Sequence, residues 1–360
     1  MSEPICKVAD IIFVRFELVD LEPQKEYMEH FGMILAHETE DAIFYRGTGT
    51  APYCYVATKG QSNRFIGTAY RANALSDLEA LAAAKGVSIV ANTEPGGGHK
   101  VTLIDPDNIE IEVYYGLQPS EPISINPIML NTGVDKPREN TLQRFGRGSD
   151  EWQLHDNRWV YELTSKVKRL GHTAINVADA AISVDWYANT LGFLISDNLL
   201  APDGPHSIGA FMRCDQGDVP VDHHTLNNVQ FLGEPKPAFG HAGFEVTDSV
   251  DDLMAGHYHM KTVDKYYHEW GIGRHLLGSQ MYDYWRDPSG FTHEHWTEGD
   301  LLNASIPATD TPARDLIMAQ YGPEAPASFG ATMPSEEVDD FRAATPSLTD
   351  IVKMMEQQPK

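Results

Sequence analysis

The sequence predicts an α+β fold built from four copies of one module of roughly 50 to 65 residues, arranged as two pairs. Three observations carry this. The order strand, helix, strands runs twice before residue 116 and twice again after residue 169. Each half closes on an Asp-Pro turn with a carboxylate seven residues beyond its Asp: Asp105 and Glu112, then Asp287 and Glu294. The second half alone opens its two leading strands with Gly-His, at His172 in GHTAINV and His241 in GHAGFEV.

Taken in order, Ile11–Leu21 reads as a strand and Glu22–Phe31 as a helix stopped by Gly32. Ile43–Tyr45, Tyr53–Ala57 and Arg64–Ala72 read as strands, and Asp77–Lys85 as a helix closed by Gly86. Val101–Ile104 and Ile109–Tyr115 flank the first Asp-Pro turn. Leu117–Lys168 holds four prolines and reads as a long connection, with a short helix near Glu139–Phe145. The order then returns: strand Gly171–Val177, helix Ala180–Thr190, strands Ser207–Arg213 and His224–Phe231. Strand Gly240–Val246 and helix Ser249–Met260 follow, then the hairpin Met281–Arg286 and Thr292–Thr297. The expected division is a module pair without metal ligands at 1–116, a linker at 117–168, a catalytic pair at 169–300 and a tail at 301–360. The tail, with a short helix at Leu348–Glu356, either covers an opening or is mobile.

Composition narrows the function. A net charge of −25 argues against nucleic acid as a partner, because such binding rests on Lys and Arg neutralising phosphates. No apolar run approaches the ~18 residues of a membrane helix, and the first ten residues do not read as a signal peptide. Three cysteines without CxxC spacing suit a reducing cytoplasm and exclude a thiolate zinc site. Fifteen histidines are many for this length, and they crowd the second half.

The chemistry follows from overlaying the copies. Glu294 lies on a strand face between Thr292 and Trp296, and a carboxylate turned inward is costly unless paired or bound to a metal. Only the second pair can assemble two imidazoles and a carboxylate at equivalent positions, because FVRFELV and FIGTAYR contain no histidine. Two histidines and one carboxylate leave coordination positions open, which suits non-haem Fe(II) and O2 better than a closed structural zinc shell. Glu112 reads as structural. Trp186, Trp270, Trp285 and Trp296 read as packing, and His257, His259 and His268 as a solvated helix and its exit.

LGHTAINVADAAISVDWYANTLGF, FGHAGFEVTD and YWRDPSGFTHE resemble the metal-binding modules and closing motif of the type I extradiol ring-cleavage (catechol 2,3-dioxygenase-like) dioxygenases of the vicinal oxygen chelate superfamily. The resemblance covers roughly Val8–Asp300 and is strongest over Gly171–Trp296. It implies βαβββ modules whose pairs form open barrels, with His172, His241 and Glu294 as Fe(II) ligands; Mn(II) suits the same set. It also implies three residues around a bound catechol. Tyr284 stands beside its oxygen, and His275 in GIGRH contributes an active-site imidazole. His224 in VDHHTLNN resembles the acid–base histidine of the His-(Thr/Asp)-x-Ala motif. Asn227 departs from that motif's Ala, and the choice between His223 and His224 stays open, with Thr225 favouring His224.

The implied activity is ring opening beside the hydroxyl pair with insertion of both atoms of O2. The proton shuttle would be a neutral histidine, contributing roughly 10²–10⁴-fold. The rivals are a 4-hydroxyphenylpyruvate-type dioxygenase or a glyoxalase-like lyase or isomerase on the same scaffold, and a non-catalytic small-molecule binder. The substrate is a small catecholic molecule of unspecified substituents, and family members are usually homo-oligomers.

Overall fold

The computed structural model describes residues 3–125, 131–140, 153–155, 158–160, 165–230, 237–247 and 249–357. Four segments each fold as a strand, a helix and further strands. The first runs Val8–Leu18, Glu22–His30, Ile34–Glu38, Ala42–Arg46 and Tyr55–Lys59. The second is Arg64–Ala72, Leu75–Lys85, Val90–Ala91, His99–Ile104 and Glu110–Tyr115. The third is Val167–Asn176, Ala180–Leu191, Leu194–Leu200, Ser207–Arg213 and Leu226–Val229, with the two-residue strand Val221–Asp222 as an extra. The fourth is Ala238–Val246, Val250–Val263, His268–His275, Met281–Arg286 and Thr292–Thr297.

These segments make an 8-stranded and a 10-stranded sheet with one shared plan. The leading strands of a pair lie antiparallel at the centre, Phe13 opposite Ala69 and His172 opposite Gly243. Each leading strand also runs parallel to the last strand of its own module. The larger sheet gains two edge strands from the tail. Thr309–Pro312 pairs with Leu194–Leu200, and Ala319–Tyr321 pairs with His268–His275.

Local chemistry sets the boundaries. Asp179 accepts from Ile182 N at the start of the third helix, and Gly192 ends it at φ 75. Ser249 accepts from Asp252 N at the start of the fourth. Both Asp-Pro turns are built alike. Asp105 Oδ1 accepts from the Asp107 and Ile109 amides, and Asp287 Oδ1 from the Ser289 and Phe291 amides. The turn therefore delivers Glu112 and Glu294 in the same register, facing the central strands.

One apolar core runs through both halves. Phe16 packs 5.1 Å from Phe239 and 4.8 Å from Phe291, and Phe31 stacks on the His295 ring at 3.7 Å. Aromatic side chains buried this way each contribute about 1.5–3 kcal/mol.

Three of the longer strands go beyond the sequence expectation, besides several of two to four residues. Ile34–Glu38 is an exposed edge, so it carries no apolar alternation. Leu194–Leu200 shows no apolar alternation because Ser196 and Asp197 are buried in it, bonded to the His223 carbonyl and the His223 ring. His268–His275 spans GIG, which reads as a loop but pairs with Met281–Arg286. Of the short helix expected at Glu139–Phe145, Glu139 and Asn140 are turn, and the rest lies outside the described residues. The helix Leu348–Glu356 is present at its expected bounds.

Candidate metal centre

Strand alternation and register bring the three candidate ligands together. Gly243 sits opposite His172 on one side and Glu294 on the other. A Cβ at Gly243 would lie 2.2 Å from His172 Cε1, so only glycine lets that ring cross the neighbouring strand. His172 Nε2 lies 2.9 Å from Glu294 Oε2 and 3.3 Å from His241 Nε2. His241 Nε2 lies 3.5 Å from the same carboxylate oxygen. All three residues are buried, Glu294 completely.

This donor set fits a divalent cation. Glu294 Oε1 has no hydrogen-bond partner, and neither does His172 Nδ1. Two Nε2 atoms 3.3 Å apart cannot both carry protons without opposing each other, whereas a cation accepts both lone pairs and the carboxylate. Burial pushes the Glu294 carboxyl up, but the facing His172, with His275 and His241 behind it, holds it below the usual carboxylate range. Burial drives His241 down to about 3 against the pull of Glu294, so both groups are in their metal-binding forms near neutral pH.

The three further candidates border the same cavity. His275, Tyr284 and His224 line it beside His172 and His241. His275 Nε2 and the Tyr284 hydroxyl are 2.8 Å apart. Burial, then Glu294, raises the Tyr284 phenol well above its ordinary value, so it is a hydrogen-bond donor. The His224 ring is 4.3 Å from that of His172, and burial, then His172 and His223, drives its pKa well below the ordinary value. His224 is therefore neutral. His223 turns to Asp197, with its Nε2 2.7 Å from Oδ2, and its Nδ1 is 3.2 Å from His224 Nδ1. Asn227, at the motif departure, also borders the cavity.

A second group of two histidines and a carboxylate corrects the reading of His257 and His268 as solvated. Asp283 Oδ1 meets His257 Nδ1 at 3.0 Å and His268 Nε2 at 2.8 Å, and its Oδ2 takes the Trp285 Nε1 proton at 2.6 Å. Three N–H donors already satisfy this buried carboxylate, which accounts for the cluster without a cation. His259 is not solvated either: its Nε2 is 2.9 Å from His30 Nδ1 in the first half.

Sequence reasoning missed Asp197, and it left open whether the tail covers an opening or is mobile. Ile317, Phe329, Leu348, Ile351 and Val352 all border the cavity, so the tail covers an opening. These residues lie outside the repeat, and no equivalent position could point to them.

Residues 169–294 match the sequence profile of the Glyoxalase/Bleomycin resistance protein/Dioxygenase superfamily. Over 330 residues the chain is 24% identical to Metapyrocatechase 2 of Cupriavidus necator, covering 91% of this chain and 93% of the relative. The fold is shared with the Mn(II)-bound glyoxalase from Novosphingobium aromaticivorans, at a TM-score of 0.68 and 19% identity over 92% of this chain and 97% of that one. It is shared equally with the homoprotocatechuate 2,3-dioxygenase of Brevibacterium fuscum in its 3,4-dihydroxyphenylacetate complex. There the TM-score is 0.68 and the identity 17%, over 93% of this chain and 95% of that one. The matched segment sits in a larger α+β assembly built on two main sheets. None of the helices in the described residues is long and apolar enough to cross a membrane.

Proposed function

We infer that this protein is an extradiol ring-cleaving dioxygenase that opens a catechol with Fe(II) and O2, His172, His241 and Glu294 holding the ion. The observation that carries this is the meeting of those three donors at the wall of one cavity, which His172 and His241 line together with His224, His275 and Tyr284. Mn(II) suits the same oxygen and imidazole donors. When bound, the ion supplies positive charge that favours the catecholate and open positions for both substrates.

The protein's own groups handle the protons. With Asp197 accepting from His223 Nε2–H, His223 Nδ1 is left to accept a hydrogen bond from His224 Nδ1–H. His224 Nε2 is then left with a free lone pair, the form a general base needs. At that atom it can take a proton from a catechol hydroxyl and hold it for return to the opened product. The Tyr284 phenol and His275 hydrogen-bond the substrate oxygens, held ready by their mutual contact. The buried apolar walls keep bulk water from the reacting ring.

The glyoxalase likeness favours one rival, a metal-dependent lyase or isomerase reaction in the same cavity. Anaerobic loading with Fe(II), then a catechol panel in air at an oxygen electrode, separates them. Ring cleavage consumes one O2 per catechol and yields a yellow ring-opened product. An isomerase or lyase consumes none.

A further inference from the structure

The ring-cleavage reading names a catechol and leaves its substituents open. Two apolar groups of residues flank the metal centre. On one side, Ile208, Phe211 and Val229 from the sheet pack with Ala313 and Leu316 of the tail. On the other, Ile317, Phe329 and Leu348 of the tail pack on Trp270 and Tyr284. Ile351 and Val352, one turn further along the Leu348–Glu356 helix, complete the wall. Phe329 reaches the site itself, with its ring 5.7 Å from that of His241 and 5.0 Å from that of Tyr284.

The tail is strapped in place over the cavity. Asn176 Nδ2 donates to Gly330 O at 2.8 Å, Trp270 Nε1 to Pro323 O at 2.9 Å and Arg286 Nη2 to Ser328 O at 3.0 Å. Arg314 joins Glu356 at 2.9 Å and so ties the last helix to the short helix Ala313–Ile317. These walls are built structure, held by both side chains and backbone.

Among the described residues, the lining offers no Lys or Arg charge to an anionic substituent. Its amides are mostly spent on the protein's own backbone. Asn176 Nδ2 holds Gly330 O, Gln230 Oε1 accepts from Ala180 N, and Asn227 Nδ2 reaches Ala210 O. Gln280 Nε2 is buried and unpartnered, which supplies one neutral donor. A carboxylate brought here would lose its water with no cation to replace it. An apolar group would lose only unfavourable hydration.

We propose that, given the ring-cleavage reading, the substrate is a catechol bearing a bulky, uncharged apolar substituent, and that Ile351 and Val352 of the tail help select it. The substituent lies between the two apolar walls while the hydroxyl pair faces His172, His241 and Glu294. Each methylene it buries tightens binding about fourfold.

Calorimetry on the anaerobic Fe(II)-loaded protein tests this with catechol, 3- and 4-butylcatechol and 3,4-dihydroxyphenylacetate. At least one butylcatechol is expected to bind tenfold or more tighter than catechol, and 3,4-dihydroxyphenylacetate no tighter than catechol. In Ile351→Arg, checked for an unchanged melting temperature, the butylcatechol-to-catechol ratio should fall at least fivefold and 3,4-dihydroxyphenylacetate should gain. Equal or tighter binding of 3,4-dihydroxyphenylacetate by the unaltered protein would overturn the proposal, as would an unmoved ratio in the variant. Admitting air keeps the two readings apart. Tight butylcatechol binding without O2 uptake sinks ring cleavage and leaves the apolar selectivity standing. Turnover of every catechol without alkyl preference does the reverse.

Discussion

The two halves of this chain run the same strand order, yet one assembles a candidate metal centre and the other an ion-pair cluster. Register makes the comparison residue by residue. His172 lies opposite Gly243, which lies beside Glu294; in the first half Phe13 lies opposite Ala69, which lies beside Glu112. His241 faces Ala174, and its counterpart Gly67 faces Arg15. So the ligand positions of the first half hold Phe13, Gly67 and Glu112, and only the carboxylate is common to both. Arg15 occupies the place of Ala174 and reaches Glu112 at 3.0 Å and Glu94 at 2.8 Å, while Lys100 also meets Glu112. Each of these two carboxylates is buried and needs its charge compensated. The first half does so covalently with Arg15 and Lys100, and the second has neither, which fits the proposed ion.

The largest test of this contrast exchanges the two carboxylates. Glu294→Gln is expected to weaken metal binding more than ~100-fold and abolish turnover. Glu112→Gln should keep the unaltered metal content. Metal analysis after gel filtration reads both, and equal loss in both variants would erase the distinction. Next, His224→Phe should retain its metal and lose roughly 10²–10⁴-fold in turnover. Full activity in that variant would remove the proton-shuttle role.

In the first half, Arg15→Ala leaves Glu112 with Lys100 alone. It should cost about 2–4 kcal/mol in urea unfolding without changing metal content. Asp197→Asn probes how His224 is held. Turnover should fall about tenfold with KM nearly constant, because the amide cannot fix the His223 tautomer; a change in KM alone would point to packing instead.

The smallest effect lies where the halves meet. Burial, then His30, depresses His259 from 6.5 to about 4. The folded state therefore favours the neutral ring, and the unfolded chain takes up the proton first. Stability is full above pH 6.5 and is lost as pH falls from 6.5 towards 4. His259→Gln should flatten that slope by about 1–2 kcal/mol after solvent screening, read from denaturation midpoints across this range.

Much of this was legible in the sequence, and the physics says why. Asp-Pro turns and Gly-His strand openings recur at fixed module positions, so His172, His241 and Glu294 could be matched before any coordinates. Arg64–Ala72, Ser207–Arg213 and the hairpin Met281–Arg286 with Thr292–Thr297 fall at their expected bounds because their alternation or turn chemistry is undisturbed. His268–His275 was hidden by its glycines, and Ile34–Glu38 by full exposure. The pairing of Asp197 with His223 crosses strands 26 residues apart and leaves no local trace. The tail's apolar residues have no partner in the repeat, so their place over the cavity emerges only from the fold.

The most direct measurement is anomalous diffraction at the iron edge from crystals of the anaerobically Fe(II)-loaded protein. One peak is expected per chain, at about 2.0–2.2 Å from His172 Nε2, His241 Nε2 and a Glu294 oxygen. A peak at His257, His268 and Asp283 instead, or density at Glu112, or none at all, would contradict the account.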